Sequence, residues 1–240
     1  MSIFFWRNSH KNEDLKNEFI TIIAHKYRTP LTQVKWLCET LLANETDSFK
    51  KEGLTNINQS NNKLIKLTNS LIEVADNDRS AVASYSFEVM SLCDLVRATA
   101  EPFKNLFHEK NIFFSVQTPV DDIKCKIDKQ RIEFVLQSLL ENARTYSSPG
   151  KNVKVIVEKC GPNAVISVID DGIGISPEEL PLIFTKFFRS ESSRRMDTEG
   201  FGISLFLSKA IIRRHKGEIG VSSDGLDKGA RFDVTLKVVE

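Results

Sequence analysis

Val168-Ile169-Asp170-Asp171-Gly172-Ile173-Gly174-Ile175 carries an apolar run straight into a turn of the form D-x-G-x-G. The residues before it, Ala164 to Asp170, have the length and β-branched content of a buried strand. A carboxylate at the end of such a strand can accept hydrogen bonds from an amino group such as that of adenine. The glycines after it let backbone approach a flat ring closely. A glycine-rich turn that binds nothing has the same appearance, so the neighbouring segments must choose between them.

Upstream, Asp128 to Ser147 reads as a helix in which Asn142 interrupts the apolar run Leu139-Leu140-Glu141-Asn142-Ala143. Its amide oxygen suits Mg²⁺, which takes few protein ligands and shares phosphate oxygens, although a core-satisfied Asn would look alike. Downstream comes an aromatic cluster with two cations, Ile183-Phe184-Thr185-Lys186-Phe187-Phe188-Arg189, and then a polar stretch from Ser190 to Glu199 without apolar period. That stretch reads either as a solvated loop or as a mobile lid bringing Lys186, Arg189, Arg194 or Arg195 toward phosphate charge. Gly200-Phe201-Gly202 then opens a helix from Phe201 to His215, where free N–H groups favour phosphate. Further strands are expected at Tyr85–Val89, Ile112–Gln117, Lys151–Lys159, Gly217–Val221 and Ala230–Val238, with a helix at Leu92–Glu109. This mixture predicts a two-layer α/β sandwich over residues 85–240.

The N-terminal third has a different texture. From Lys11 to Ala43 the residues Ile20, Ile23, Tyr27, Pro30, Val34, Leu37 and Leu41 step by threes and fours, and Leu54, Ile57, Asn61, Leu64, Thr68, Leu71 and Ala75 repeat the pattern beyond a polar break. Two helices in a hairpin follow, over residues 1–78, with a polar linker at 79–84. A pair of helices has too little opposing surface to bury both stripes, so two copies forming a dimeric four-helix bundle is the expected solution. His25 lies two residues from both Ile23 and Tyr27, so at about 100° per residue it points away from the seam. An exposed imidazole with pKa near about 6.5 can act as a nucleophile.

Composition excludes more than it selects. The 240 residues carry 33 Lys plus Arg against 32 Asp plus Glu, which supplies no basic field for nucleic acid. Cys38, Cys93, Cys125 and Cys160 stand far apart with no metal-ligand spacing, as reduced thiols of a soluble cytoplasmic protein would. No run approaches the roughly 18 apolar residues of a membrane helix. Ile3-Phe4-Phe5-Trp6 before Arg7 and Lys11 fits equally a chain end or the cytoplasmic edge of a missing membrane segment.

The order of these segments is their strongest feature. His25 on a hairpin, then Asn142, Asp170-x-Gly172-x-Gly174, the Phe184 cluster and Gly200-x-Gly202 closely resemble the H, N, G1, F and G2 boxes of bacterial sensor histidine kinases. The resemblance spans about residues 15 to 238 and implies an ATP-binding domain of the GHKL, or Bergerat, type. It implies His25 as phosphoacceptor with Arg28 and Thr29 in the catalytic set, Asn142 as a Mg²⁺ ligand and Asp170 as the adenine reader. Gly172, Gly174, Gly200 and Gly202, with Tyr146, Lys186 and Arg189, would complete the ATP site. The implied partners are a second copy of the chain and the receiver domain of a response regulator.

The chain departs from that family at three places. Lys26 stands where a carboxylate commonly follows the phosphoacceptor, Ser138 where an earlier Asn is usual, and Thr145 where a Lys is usual. A general base must offer a lone pair to the proton it takes, and an ammonium does not. Two enzyme readings and one binding reading therefore compete: a histidine kinase, another ATPase of the same nucleotide-binding fold, or a degenerate module that binds nucleotide and a response regulator. The hairpin ahead of the ATP-binding domain argues against the second.

Overall fold

The sequence NAVISVID of β5 (Asn163–Asp170) is buried along most of its length, and it takes the centre of a five-stranded sheet. β4 (Asn152–Cys160) and β7 (Ala230–Lys237) flank it, both antiparallel. β2 (Phe113–Gln117) pairs parallel with β4 at one edge, and β6 (Glu218–Ser222) pairs antiparallel with β7 at the other. Val153, Val155 and Val157 of β4 are buried, while Lys154 between them and Glu158 after them are exposed. That alternation marks a sheet covered on one face only.

The covering layer is α3 (Leu92–Glu109), α4 (Lys129–Tyr146) and α6 (Ser204–Arg214). α3 turns Leu92, Val96, Phe103 and Phe107 inward at helical spacing, and α4 does the same with Ile132, Leu136, Leu139 and Ala143. Each large side chain so buried contributes roughly 1.5–3 kcal/mol. Side chains cap both helices at their starts: Ser91 accepts from the Asp94 N–H at 3.1 Å, and Asp128 from the Arg131 N–H at 3.1 Å. The ammonium of Lys110 closes the other end of α4, donating to the carbonyls of Arg144 and Thr145 at 2.6 and 3.1 Å.

The computed structural model describes residues 27, 29–43, 45–78, 85–197 and 202–239. The chain divides into two compact units, residues 1–84 and 85–240.

Three elements differ from the sequence expectations. β3 (Lys124–Ile127) pairs antiparallel with β1 (Glu88–Ser91) in a small second sheet, and its four residues are too short to show a period. α5 (Glu191–Met196) occupies the polar stretch read as loop or lid; it has no buried residue, so it leaves no apolar signature. β1 starts at Glu88 because Tyr85 and Phe87 are used differently. Their rings stack at 5.7 Å, both meet His215 edge-on, and the guanidiniums of Arg131 and Arg214 lie over Tyr85 at 5.3 and 5.2 Å. His215, 6% exposed, accepts at Nε2 from the Asp128 N–H (3.0 Å), and burial lowers its pKa.

In the N-terminal unit, a helix α1 over 29–43 is followed by α2 (Ser48–Asp78). Asp47 caps α2, its carboxylate accepting from the N–H groups of Phe49 and Lys50 at 3.0 and 3.1 Å. Tyr27, Val34, Leu37 and Leu41, the described apolar members of the first stripe, are all exposed, at 40–59%. Cys38, at the edge of that stripe, is buried. The second stripe splits: Asn61 and Thr68 are buried, while Ile57 and Leu64 remain 52% and 48% exposed.

Candidate functional site

Asp170 is the last residue of β5, aligned with Val153 on one side and Ala230 on the other. The strand ladder thus delivers its carboxyl group to the rim of the sheet with only 8% of the residue exposed. Oδ1 accepts from the Gly172 N–H at 2.9 Å. Burial raises the pKa to about 6, against the opposing pull of the Gly172 and Ala230 N–H groups, and the Asp171 charge adds to the rise. Asp171 plays another part, since its Oδ2 accepts from Asn152 Nδ2 at 2.7 Å and holds the start of β4. Of two adjacent carboxylates, one is structural and one is held desolvated at the site.

The turn after Asp170 is stitched to two other segments. The Ile173 N–H donates to the carbonyl of Tyr146 at the end of α4, at 3.1 Å. A Cβ at Gly172 would lie 2.5 Å from that carbonyl and 2.6 Å from Asp170 Oδ1, so no side chain fits there. From the other side comes the β6–β7 connection: the Asp227 N–H donates to Ile173 O at 2.7 Å, and the Gly229 N–H to Gly172 O at 3.1 Å. Ser223 Oγ accepts from the Ile175 N–H at 3.0 Å and donates to Gly229 O at 2.6 Å. Ser223 and Gly229 were missed in the sequence. Their signal was the pair of glycines in Asp224-Gly225-Leu226-Asp227-Lys228-Gly229, and a Cβ at Gly229 would run into the Asp170 carbonyl.

Asn142 and Tyr146, one turn apart, share a face of α4. Asn142 is half-buried, and its amide has no hydrogen bond among the described residues. The Tyr146 hydroxyl meets Arg189 and Ser193, and burial raises its pKa. Arg189 also donates to the carbonyls of Ser193 and Asp197 and pairs with the Asp197 carboxylate at 3.6 Å. Lys186 places its ammonium over the Phe206 ring at 5.1 Å. The Phe187 N–H donates to Gly202 O at 2.9 Å, so the aromatic cluster and the second glycine segment meet. Gly174 and Gly202 both have positive φ, 67° and 68°. Thr29 is exposed on α1, and His25, Lys26, Arg28 and Gly200 lie outside the described residues.

The pattern described as "Histidine kinase-, DNA gyrase B-, and HSP90-like ATPase" matches residues 127–240, and "His Kinase A (phospho-acceptor) domain" matches residues 15–80. The chain belongs to the sensor histidine kinases. Its ATPase region alone would leave the gyrase and chaperone branches open; the phospho-acceptor match in front of it selects the kinase branch. Sensor protein SrrB of Staphylococcus aureus is 28% identical over 235 residues, which are 95% of this chain and 39% of that protein. The chain therefore spans about two-fifths of the length of such curated relatives. The catalytic domain of histidine kinase ThkA shares 26% identity at a TM-score of 0.56, covering 63% of this kinase core and 95% of that chain. Full-length ShkA in complex with AMPPNP has the same fold at a TM-score of 0.73 and 24% identity, covering 92% of this chain and 46% of that one. Among the described residues no helix is long and apolar enough to cross a membrane.

Proposed function

We propose that this kinase core binds Mg-ATP, phosphorylates its own His25 and passes the phosphoryl group to an aspartate in the receiver domain of a response regulator. One observation carries the nucleotide site: a desolvated carboxylate, Asp170, at the end of the central strand, with glycines at 172 and 229 where side chains would collide with its surroundings. Such a group accepts an amino N–H well and repels phosphate, so it reads the base and not the triphosphate. The phosphates belong at the other end, near Asn142, Tyr146, Arg189 and the glycines at 200 and 202.

Among the described residues no cluster of three or more His, Cys, Asp or Glu could hold a metal by itself. A Mg²⁺ ion shared between phosphate oxygens and the Asn142 amide oxygen, unengaged within the described chain, fits that donor set. Bound there, it would neutralise phosphate charge. The chain's own groups position the two reactants, which is where most of the rate in phosphoryl transfer originates.

The exposed stripes on α1 and α2 support a homodimer built as a four-helix bundle, with cytoplasmic placement of the core following from its need for ATP. A second reading, a degenerate module that binds nucleotide and regulator with little transfer, is favoured by Lys26, Ser138 and Thr145. Incubation with γ-labelled ATP decides between them. Acid-labile, base-stable label on the wild type and none on His25→Gln is the kinase result; an unlabelled wild type that still binds ATP is the other.

A further inference from the structure

The stripe on α2 contains two polar residues one heptad apart, Asn61 and Thr68, where a bundle seam calls for aliphatic side chains. Among the described side chains of the stripe they are the buried ones, 4% and 6% exposed, while Ile57 and Leu64 on the neighbouring edge face outward. Thr68 is satisfied within its own helix, its hydroxyl donating to Leu64 O at 2.8 Å. Asn61 is not. Its Nδ2 crosses the hairpin and donates to the main-chain carbonyl of Leu31 at 2.7 Å, immediately after Pro30 and six residues beyond His25 in sequence.

Apolar contacts between two helices tolerate sliding, because one aliphatic side chain replaces another at each turn. A buried amide does not. Moving α2 by one turn carries Asn61 about 5.4 Å along the axis, beyond any hydrogen bond to Leu31. For antiparallel helices held in the register in which Asn61 reaches Leu31, the position expected to face Cys38 is Leu54, seven residues on in α1 and seven back in α2. Cys38 is 5% exposed and Leu54 half-buried, as that alignment requires.

We propose that Asn61 is a positioning residue for phosphoryl acceptance, holding α2 in one register against α1 at Leu31, six residues along the chain from His25. The inference rests on the proposed kinase function for its consequence, and on the hairpin alone for its geometry. A single buried Asn is a known way to fix helix register at some expense in stability.

The test is Asn61→Leu in the full chain, on a Cys160→Ser background. Leucine keeps the bundle buried, so thermal stability should stay level or rise. Autophosphorylation at saturating ATP should fall about tenfold or more, as misplacement of reacting groups by about 1 Å can cost more than that, with KM for ATP unchanged. Register is read separately by oxidative crosslinking of Cys38 to Leu54→Cys or to Asn58→Cys, one turn away. With Asn61 the Leu54→Cys crosslink should dominate; with leucine at 61 both should form. A leucine variant with the wild-type rate, or one that is slow but keeps the single crosslink, overturns the proposal. A wild type that takes no label refutes the kinase reading instead, and the crosslink pattern then decides the register claim on its own.

Discussion

Asp170→Asn should stabilise the catalytic unit while removing its affinity for ATP, a combination that a purely structural aspartate would not give. The side chain is 8% exposed and burial lifts its pKa from 3.8 to about 6. The folded protein therefore binds the proton more tightly than the unfolded chain does. Stability falls as pH rises from about 4 to about 6, and above that the ionised group costs roughly 3 kcal/mol, two pKa units at about 1.4 kcal/mol each. Asparagine removes that charge. Its oxygen can still accept from the Gly172 N–H, but its NH₂ turns a donor toward the Ala230 N–H or the adenine amino group, a loss of about 1 kcal/mol.

The net gain is about 2 kcal/mol at pH 7.5, shrinking below about 1 kcal/mol at pH 5, where the wild-type carboxyl is itself protonated in the fold. Both tryptophans, Trp6 and Trp36, lie in the N-terminal unit, so their fluorescence does not report on this change. Native-state hydrogen exchange of the β5 amides does, and should slow by about thirtyfold at pH 7.5. Calorimetric titration with Mg-ATP measures the other half. A variant that is no more stable at pH 7.5, or that binds ATP as the wild type does, refutes the assignment of Asp170 as the desolvated base reader.

Three further outcomes are expected. Asn142→Ala should weaken Mg-ATP binding in calorimetry without changing the melting temperature, because the amide makes no hydrogen bond within the described chain; unchanged affinity would place the metal elsewhere. Leu64→Asp should convert a dimer to a monomer by light scattering, since a carboxylate that is harmless on the exposed edge of one α2 costs several kcal/mol when a partner covers it. A persistent dimer would move the interface away from that edge. Lys26→Glu should accelerate autophosphorylation with ATP affinity unchanged, as general-base assistance is worth about 10²- to 10⁴-fold where it operates; an equal or slower rate would mean that the site is built around the lysine.

What the sequence disclosed and what it withheld follow from how each feature is made. Asp170, Gly172 and Gly174 were legible because a single local stretch contains both the strand and its turn. Ser223 and Gly229 form the same floor from about 50 residues away in the chain, and only the pairing of β5 with β7 brings them in. α5 was illegible for another reason: its order comes from the Ser190 cap and the Arg189–Asp197 tie, neither of which leaves an apolar period. The α2 stripe is the instructive case. Its three-four spacing was read correctly as a helix, yet at about 100° per residue Asn61 and Leu64 stand only some 60° apart, and a linear pattern cannot say which edge faces α1. The hydrogen bond from Asn61 to Leu31 decides it, turning the polar edge inward and leaving Ile57 and Leu64 outward with Val34, Leu37 and Leu41. An edge satisfied by one directional bond needs no second chain; an edge of half-exposed aliphatic side chains does. The same stripe therefore encodes both the internal register of the hairpin and the surface through which two hairpins would join.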